Sequence, residues 1–255
     1  MNQPQGLKGL PAVSLVGEPK VYETPDGILK NPRDGGRENE KLTSFEYIHE
    51  TNAAAPDQVD LGIRIVDNNT RSSDLLVPGV WDFPWKRPKF NLYLRNDYEA
   101  STWDYPLFQE SQVKKADRLR LRLGHQDFPN PFIIDEFVRR TFINMGQVNA
   151  SGKIVVLYQN GVFRTHANLV ERHREKFFQE SYDSNYEWDV RHNTGEMIEG
   201  DEVAWEAFDT LMTSSNFEDP TDYAAVESQI DLVNFVDYLN SEYLHWLARL
   251  APEQP

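Results

Sequence analysis

Two stretches of this sequence carry residues whose type and spacing could do chemistry. In the first, Arg118, Arg120 and Arg122 alternate with Leu119, Leu121 and Leu123. A strand with that pattern puts guanidinium groups on one face and leucines on the other. Such a row could contact phosphate or carboxylate. The plainer reading is a solvent-facing strand surface that balances nearby acids. In the second, KIVVLYQNGVFRTHANLVER, two apolar runs flank Asn160-Gly161. That pair accepts the positive φ angles of a tight hairpin turn. The hairpin ends on Glu171-Arg172, which sets a carboxylate on a rigid element. Lys89, directly before the alternating run FNLYLR, could be the cation such a carboxylate orients towards nucleotide phosphates. Spacing alone does not bring the two together.

Other chemistries are less favoured. None of the histidines (His49, His125, His166, His173, His192, His245) forms the helical His-Glu-x-x-His pattern of a zinc hydrolase. Asp183 to Asp189 has carboxylates at loop spacing, but lacks the glycine and terminal glutamate of a calcium loop. Glu196, Glu199, Asp201 and Glu202 read as charge at a helix start. No metal ligand is assigned. There is no cysteine, no Gly-x-Ser-x-Gly elbow, no Walker A loop and no dinucleotide fingerprint, so no catalytic residue is assigned either.

The chain has 255 residues, 39% of them hydrophobic, enough for one large domain or two small ones. A net charge of -15 argues against nucleic acid as a partner, because phosphate backbones require a basic field. No apolar run reaches the length of a transmembrane span, and the start lacks the pattern of a signal peptide. The expectation is a protein that stays inside, or a piece of a longer one.

The elements that must position these residues follow from periodicity. Residues 1–10 read as a loose tail. Strands are expected at 11–16, 42–48, 61–66, 90–95 and 118–123, then the hairpin of 154–158 and 162–169. Asn130-Pro131 reads as a helix start, with apolar residues at 133, 134, 137, 138, 142 and 145. Further helices are expected at about 172–182, 201–212, 220–229 and 231–247. In the last of these, Leu232, Phe235, Val236, Leu239, Tyr243 and Leu247 form the expected inward stripe. Trp81, Trp85 and Trp103 read as core plugs under a loop, or as a glycan-binding surface.

Taken together, these segments resemble the CotH kinase family, named for spore coat protein H. Asn160 to Arg172 is similar without a gap to that family's N-G-x-Y-x-G-x-Y-x-L-x-E-R. PAVSLV resembles its opening strand. GILKNP resembles its G-I-Y-x-N-P segment, and GRENEKLTSFEYI its G-x-x-W-E-R-P-V-S-x-E segment. LGIRI, KFNLYLRNDYEASTWDYPLF, LRLRLGHQD and GEMIEGDEVAWEAF resemble further segments in the family's order. The resemblance covers roughly residues 11–240. It implies a single domain over 11–255, with a β-rich part at 11–127 and a hairpin-plus-helix part at 128–255. The implied fold class is α+β: a mainly antiparallel β part, then a β-hairpin and α-helices, as a divergent protein-kinase-like fold. The implied activity is ATP-dependent phosphorylation of protein with Mg²⁺, at a spore coat or extracytoplasmic surface. Lys89, Arg122, Asp127, Glu171 and Arg172 match the family's cofactor-binding positions.

The sequence also departs from that pattern. Asp67-Asn68-Asn69-Thr70-Arg71 stands where the family has a glycine-containing loop. Thr165 and Ala167 replace the hairpin's second glycine and second aromatic. The chain ends before the family's N-T-D-W segment and later D-x-D, which carry the catalytic groups and metal ligands. The resulting expectation is a truncated or degenerate kinase domain, inactive alone. The alternative is a non-catalytic coat or surface scaffold that binds protein partners.

Overall fold

A computed structural model describes residues 9–22, 24–50, 57–65, 88–103, 107–108, 111–123, 133–192 and 194–250, the side chains of 245–250 excepted. The chain divides into two compact units. One comprises residues 1–136 and 150–172, the other residues 137–149 and 173–255.

The first unit is a closed barrel of seven strands. They are β1 (Ala12–Val16), β2 (Lys41–Ile48), β3 (Asp57–Ile65), β4 (Phe90–Tyr93), β5 (Arg118–Arg122), β6 (Gly152–Gln159) and β7 (Val162–Glu171). Their order is β1-β2-β3-β4-β5-β7-β6, and β6 returns to β1 in parallel, with Ala12 opposite Val156. All other neighbours in the barrel are antiparallel. This overturns the α+β, kinase-like expectation of an N-terminal antiparallel sheet followed by a separate hairpin-and-helix part. The hairpin belongs to the barrel and closes it. The physical reason is that alternation marks a strand and its buried face, but does not name the partner strand.

Alternation fills the interior. Val13 and Leu15 of β1, Phe45 of β2, Leu61 and Ile63 of β3, and Phe90 and Leu92 of β4 are buried. So are Leu119 and Leu121 of β5, Val155 and Leu157 of β6, and Ala167 and Leu169 of β7. A barrel of this size is filled by its own side chains. Trp103, which bridges to Ala116, plugs the same core and meets Phe45 edge-on at 5.3 Å. Asn160 and Gly161 make the β6–β7 turn with φ of 48° and 76°, as their sequence requires. The Asn160 side chain also accepts the Gly17 N–H at 2.9 Å, tying the turn to the end of β1.

A short helix, α1 (Pro19–Tyr22), follows β1 and buries Val21 and Tyr22. The Thr43 hydroxyl donates to the Val16 carbonyl at 3.0 Å. The Tyr22 hydroxyl therefore donates to Thr43, 2.7 Å away. Burial pushes the Tyr22 phenol up to about 12, and a Thr43 hydroxyl turned to donate to the phenolate would pull the other way. Because the folded value lies above the unfolded one, Tyr22 stabilises the barrel fully below pH ~10, and that stability is lost as pH rises through about 12. Tyr22→Phe is expected to flatten this loss in a titration followed by circular dichroism. An unchanged alkaline limb would contradict the assignment.

The second unit contains α2 (Ile134–Asn144) from Phe137 onwards, α3 (Glu175–Ser181), a two-stranded ribbon of β8 (Val190–Arg191) and β9 (Met197–Glu199), α4 (Val203–Ser214), α5 (Pro220–Glu227) and α6 (Leu232–Leu250). Asp219 caps α5, its carboxylate accepting the Thr221 N–H ahead of Pro220 at the first turn. An aromatic chain of His173, Phe177, Phe178, Trp188 and Tyr182 packs α3 against the following loop. The expected inward stripe of α6 is turned outward: Phe235, Val236, Leu239 and Tyr243 are exposed. The reason lies on the opposite face, where Asn234 and Asp237 both bond Gln147. The start expected at Asn130-Pro131 lies outside the described residues. No helix among the described residues is long and apolar enough to cross a membrane.

Candidate functional site

The strands β4, β5 and β7 lie side by side and carry most of the sequence-predicted residues. In register, Arg120 faces Asn91 on one side and Val170 on the other, and Tyr93 faces Arg118. Arg122 faces Asn168. These positions share the outer face of the barrel. Lys89, one residue before β4, falls on that face by alternation, and continuing the register sets it beside Arg122. Arg172, one residue past β7, falls there too. Glu171 does not. It is opposite Leu119, a core residue, and so points to the inner face.

Strand parity thus brings Lys89, Arg122 and Arg172 onto one surface and sends Glu171 to the other. Asp127 lies outside the described residues, as do the Asp67–Arg71 loop, His125, Trp81 and Trp85. By strand parity the two members of the expected clamp, Glu171 and Lys89, lie on opposite faces of the barrel. Among the described residues no three histidine, aspartate or glutamate side chains gather as metal ligands. No phosphoryl-transfer step is derived from these residues.

Glu171 instead works as a structural carboxylate. It is buried, and one oxygen accepts from the Ser111 hydroxyl. The other accepts from the Ser151 N–H at 2.9 Å, and the Glu171 N–H returns a bond to the Ser151 carbonyl. Ser111 also accepts the Val113 N–H at 3.0 Å. One carboxylate at the end of the barrel thereby holds the approach to β5 and the start of β6. Hydrogen bonds to a charged acceptor are the strong kind.

On the outer face, polar groups form a chain. Arg120 Nε donates to the Asn91 side-chain oxygen at 2.9 Å. The Asn91 amide donates to the Tyr93 hydroxyl at 3.1 Å, which also accepts from Arg64 at 2.7 Å. The guanidinium carbons of Arg64, Arg95 and Arg172 lie 5.2, 5.2 and 5.9 Å from the Tyr93 ring centre. Cations collect over an aromatic face because its quadrupole is negative there. Arg122 pairs with Asp135 at 3.0 Å, and Arg118 with Asp117 at 3.3 Å. The arginine row of β5 is therefore half-buried and engaged by neighbours, closer to the plain reading than to an open anion site. Beside Arg122, Asn168 donates its amide to Glu136 at 2.9 Å. The Asn168 side-chain oxygen is buried and has no hydrogen-bond partner among the described residues.

Tyr93, Asn91, Asn168, Ser111 and Ser151 organise this region and were not singled out by the sequence. Only one signal for them existed. Lys89, Asn91 and Tyr93 share the parity of one strand face, as do Arg118, Arg120 and Arg122. Comparison with protein-family models and with curated proteins finds no match.

Proposed function

We propose that this chain is a non-catalytic binding domain, a coat or surface scaffold of the CotH-like kind, that does not transfer phosphate. The supporting observation is the separation of Lys89 and Glu171 by strand parity. Phosphoryl transfer rests on positioned charge at the phosphates. A lysine outside the barrel and a glutamate engaged inside it do not provide this as a pair.

A second reading has its own support. By strand parity Lys89, Arg122 and Arg172 share the outer face, and cations gathered on one face suit the phosphates of a nucleotide held without transfer, although Arg122 already pairs with Asp135. One set of measurements separates the two. Purified protein is incubated with radiolabelled ATP, Mg²⁺ and a general protein acceptor, and Mg–ATP binding is followed by calorimetry. The expected result is no incorporation above a Lys89→Ala control, and no binding heat. Incorporation above that control contradicts the scaffold reading. Binding heat that Arg122→Ala abolishes, without incorporation, supports the nucleotide-holding reading. Glu171→Ala is expected to lower stability by about 1–3 kcal/mol, by leaving the Ser111 and Ser151 donors unsatisfied. If Glu171→Ala left the urea midpoint unchanged, its structural role would be refuted.

A further inference from the structure

The long helix α6 is amphipathic in the reverse sense. Asn234, Asp237 and Ser241 recur at i, i+3 and i+7 and form its inward face. Gln147 fixes that face, accepting from the Asn234 amide at 2.9 Å and donating to Asp237 at 2.7 Å. Ser241 is buried and donates to the Tyr238 carbonyl within the helix. Phe235, Val236, Leu239 and Tyr243 occupy the opposite side and are 48–59% exposed. Their spacing of i, i+1, i+4 and i+8 makes one continuous apolar stripe along two turns. A helix held by its polar side with an apolar side about half exposed is the arrangement of a docking surface.

Charge selects the occupant. Residues 137–149 and 173–255 carry 19 Asp and Glu against 6 Lys and Arg. The remainder of the chain carries 22 acidic and 20 basic residues. Nearly all of the net charge of -15 thus sits in the unit that presents this stripe. A second copy would bring equal negative charge to the same place, and an anionic lipid surface would be repelled likewise. A cationic partner gains from both the stripe and the field.

We propose that the exposed stripe of α6 docks a cationic amphipathic helix of a partner protein. Apolar side chains of that helix cover Phe235, Val236, Leu239 and Tyr243, and its Lys and Arg residues meet the surrounding acids. This stands independently of whether the barrel holds a nucleotide.

The test uses the full chain and a fluorescein-labelled helix of roughly 18 residues, long enough to present two apolar turns, built of Leu and Lys with a single apolar stripe. Its counterpart has Glu at every Lys. Saturable one-to-one binding of the Lys peptide in fluorescence anisotropy is expected, with the Glu peptide at least tenfold weaker. Val236→Ser/Tyr243→Ser is expected to weaken the Lys peptide at least tenfold. Leu42→Ser, at an exposed leucine on β2, is expected to leave it unchanged. If the double variant loses its circular-dichroism signal, Leu239→Lys alone takes its place, with the same expected loss. Equal binding by the wild type and the stripe variant overturns the proposal, as does equal binding of the two peptides. So does a concentration-dependent dimer in sedimentation velocity that the stripe variant abolishes, which assigns the face to a second copy. Flotation with phosphatidylglycerol vesicles that depends on the stripe also overturns it.

Discussion

Replacing Phe45 by alanine is expected to destabilise the barrel by about 3–5 kcal/mol. Phe45 is fully buried in β2, between Leu15 on β1 and Val59 on β3 in the register. Its ring also receives Trp103 edge-on at 5.3 Å, a contact worth about 0.5–1.5 kcal/mol beyond burial. Truncation removes the ring and leaves a void that closed walls cannot readily collapse to fill. Phe45→Leu keeps much of the volume and is expected to cost roughly half as much or less. Urea unfolding followed by far-ultraviolet circular dichroism measures both, with a lower midpoint and an unchanged slope as the signature. A loss below about 1 kcal/mol for the alanine variant would mean that the barrel relaxes around the gap, against this account.

That core was readable from alternation, which is why the strand expectations fell close to the observed elements. Phe45 and Tyr47 alternate with polar residues, Ile63 and Ile65 flank Arg64, and Leu119 and Leu121 flank Arg120. The Asn160-Gly161 turn was readable because few other pairs adopt two positive φ angles in succession. What alternation does not carry is pairing. Nothing in AVSLV and GKIVVLYQ states that these runs, far apart in the chain, lie in parallel and close a barrel. The same gap explains the candidate site. Lys89 and Glu171 were both visible as charges beside strands. Which face each occupies depends on the register of β4 against β5 and of β5 against β7. In α6 the apolar stripe was found correctly, but its direction was not. Asn234, Asp237 and Ser241 look like a solvent face until Gln147 is seen to bond the first two.

Glu40→Ala is expected to cost about 2–4 kcal/mol, for a reason that is electrostatic and not volumetric. The Glu40 side chain is 1% exposed and receives Arg95 through Nε at 2.8 Å and Nη2 at 2.7 Å. Two parallel hydrogen bonds between planar groups are the strongest common form of this pair. The Glu40 hydrogen bond holds the Arg95 guanidinium above its already high ordinary value, outweighing the burial that opposes it. Removing the carboxylate leaves Arg95 stacked at 5.2 Å on Tyr93 beside Arg64, without its closest counter-charge. The range lies below that of a fully buried pair because the Arg95 side chain is 26% exposed and water recovers part of the loss. Packing reinforces the site, since a methyl group on Gly62 would stand 2.6 Å from the Tyr98 ring and 2.9 Å from a Glu40 oxygen. Gly62→Ala is therefore expected to disturb the same pair from the backbone side. A double-mutant cycle on Glu40→Ala and Arg95→Ala isolates the coupling, expected at about 1–3 kcal/mol and little changed between roughly 0.05 and 0.5 M salt, because buried pairs are weakly screened. Coupling below about 0.5 kcal/mol, or a coupling that disappears in high salt, would instead place the pair among surface ion pairs. The Tyr93 cluster would then be held by its strands alone.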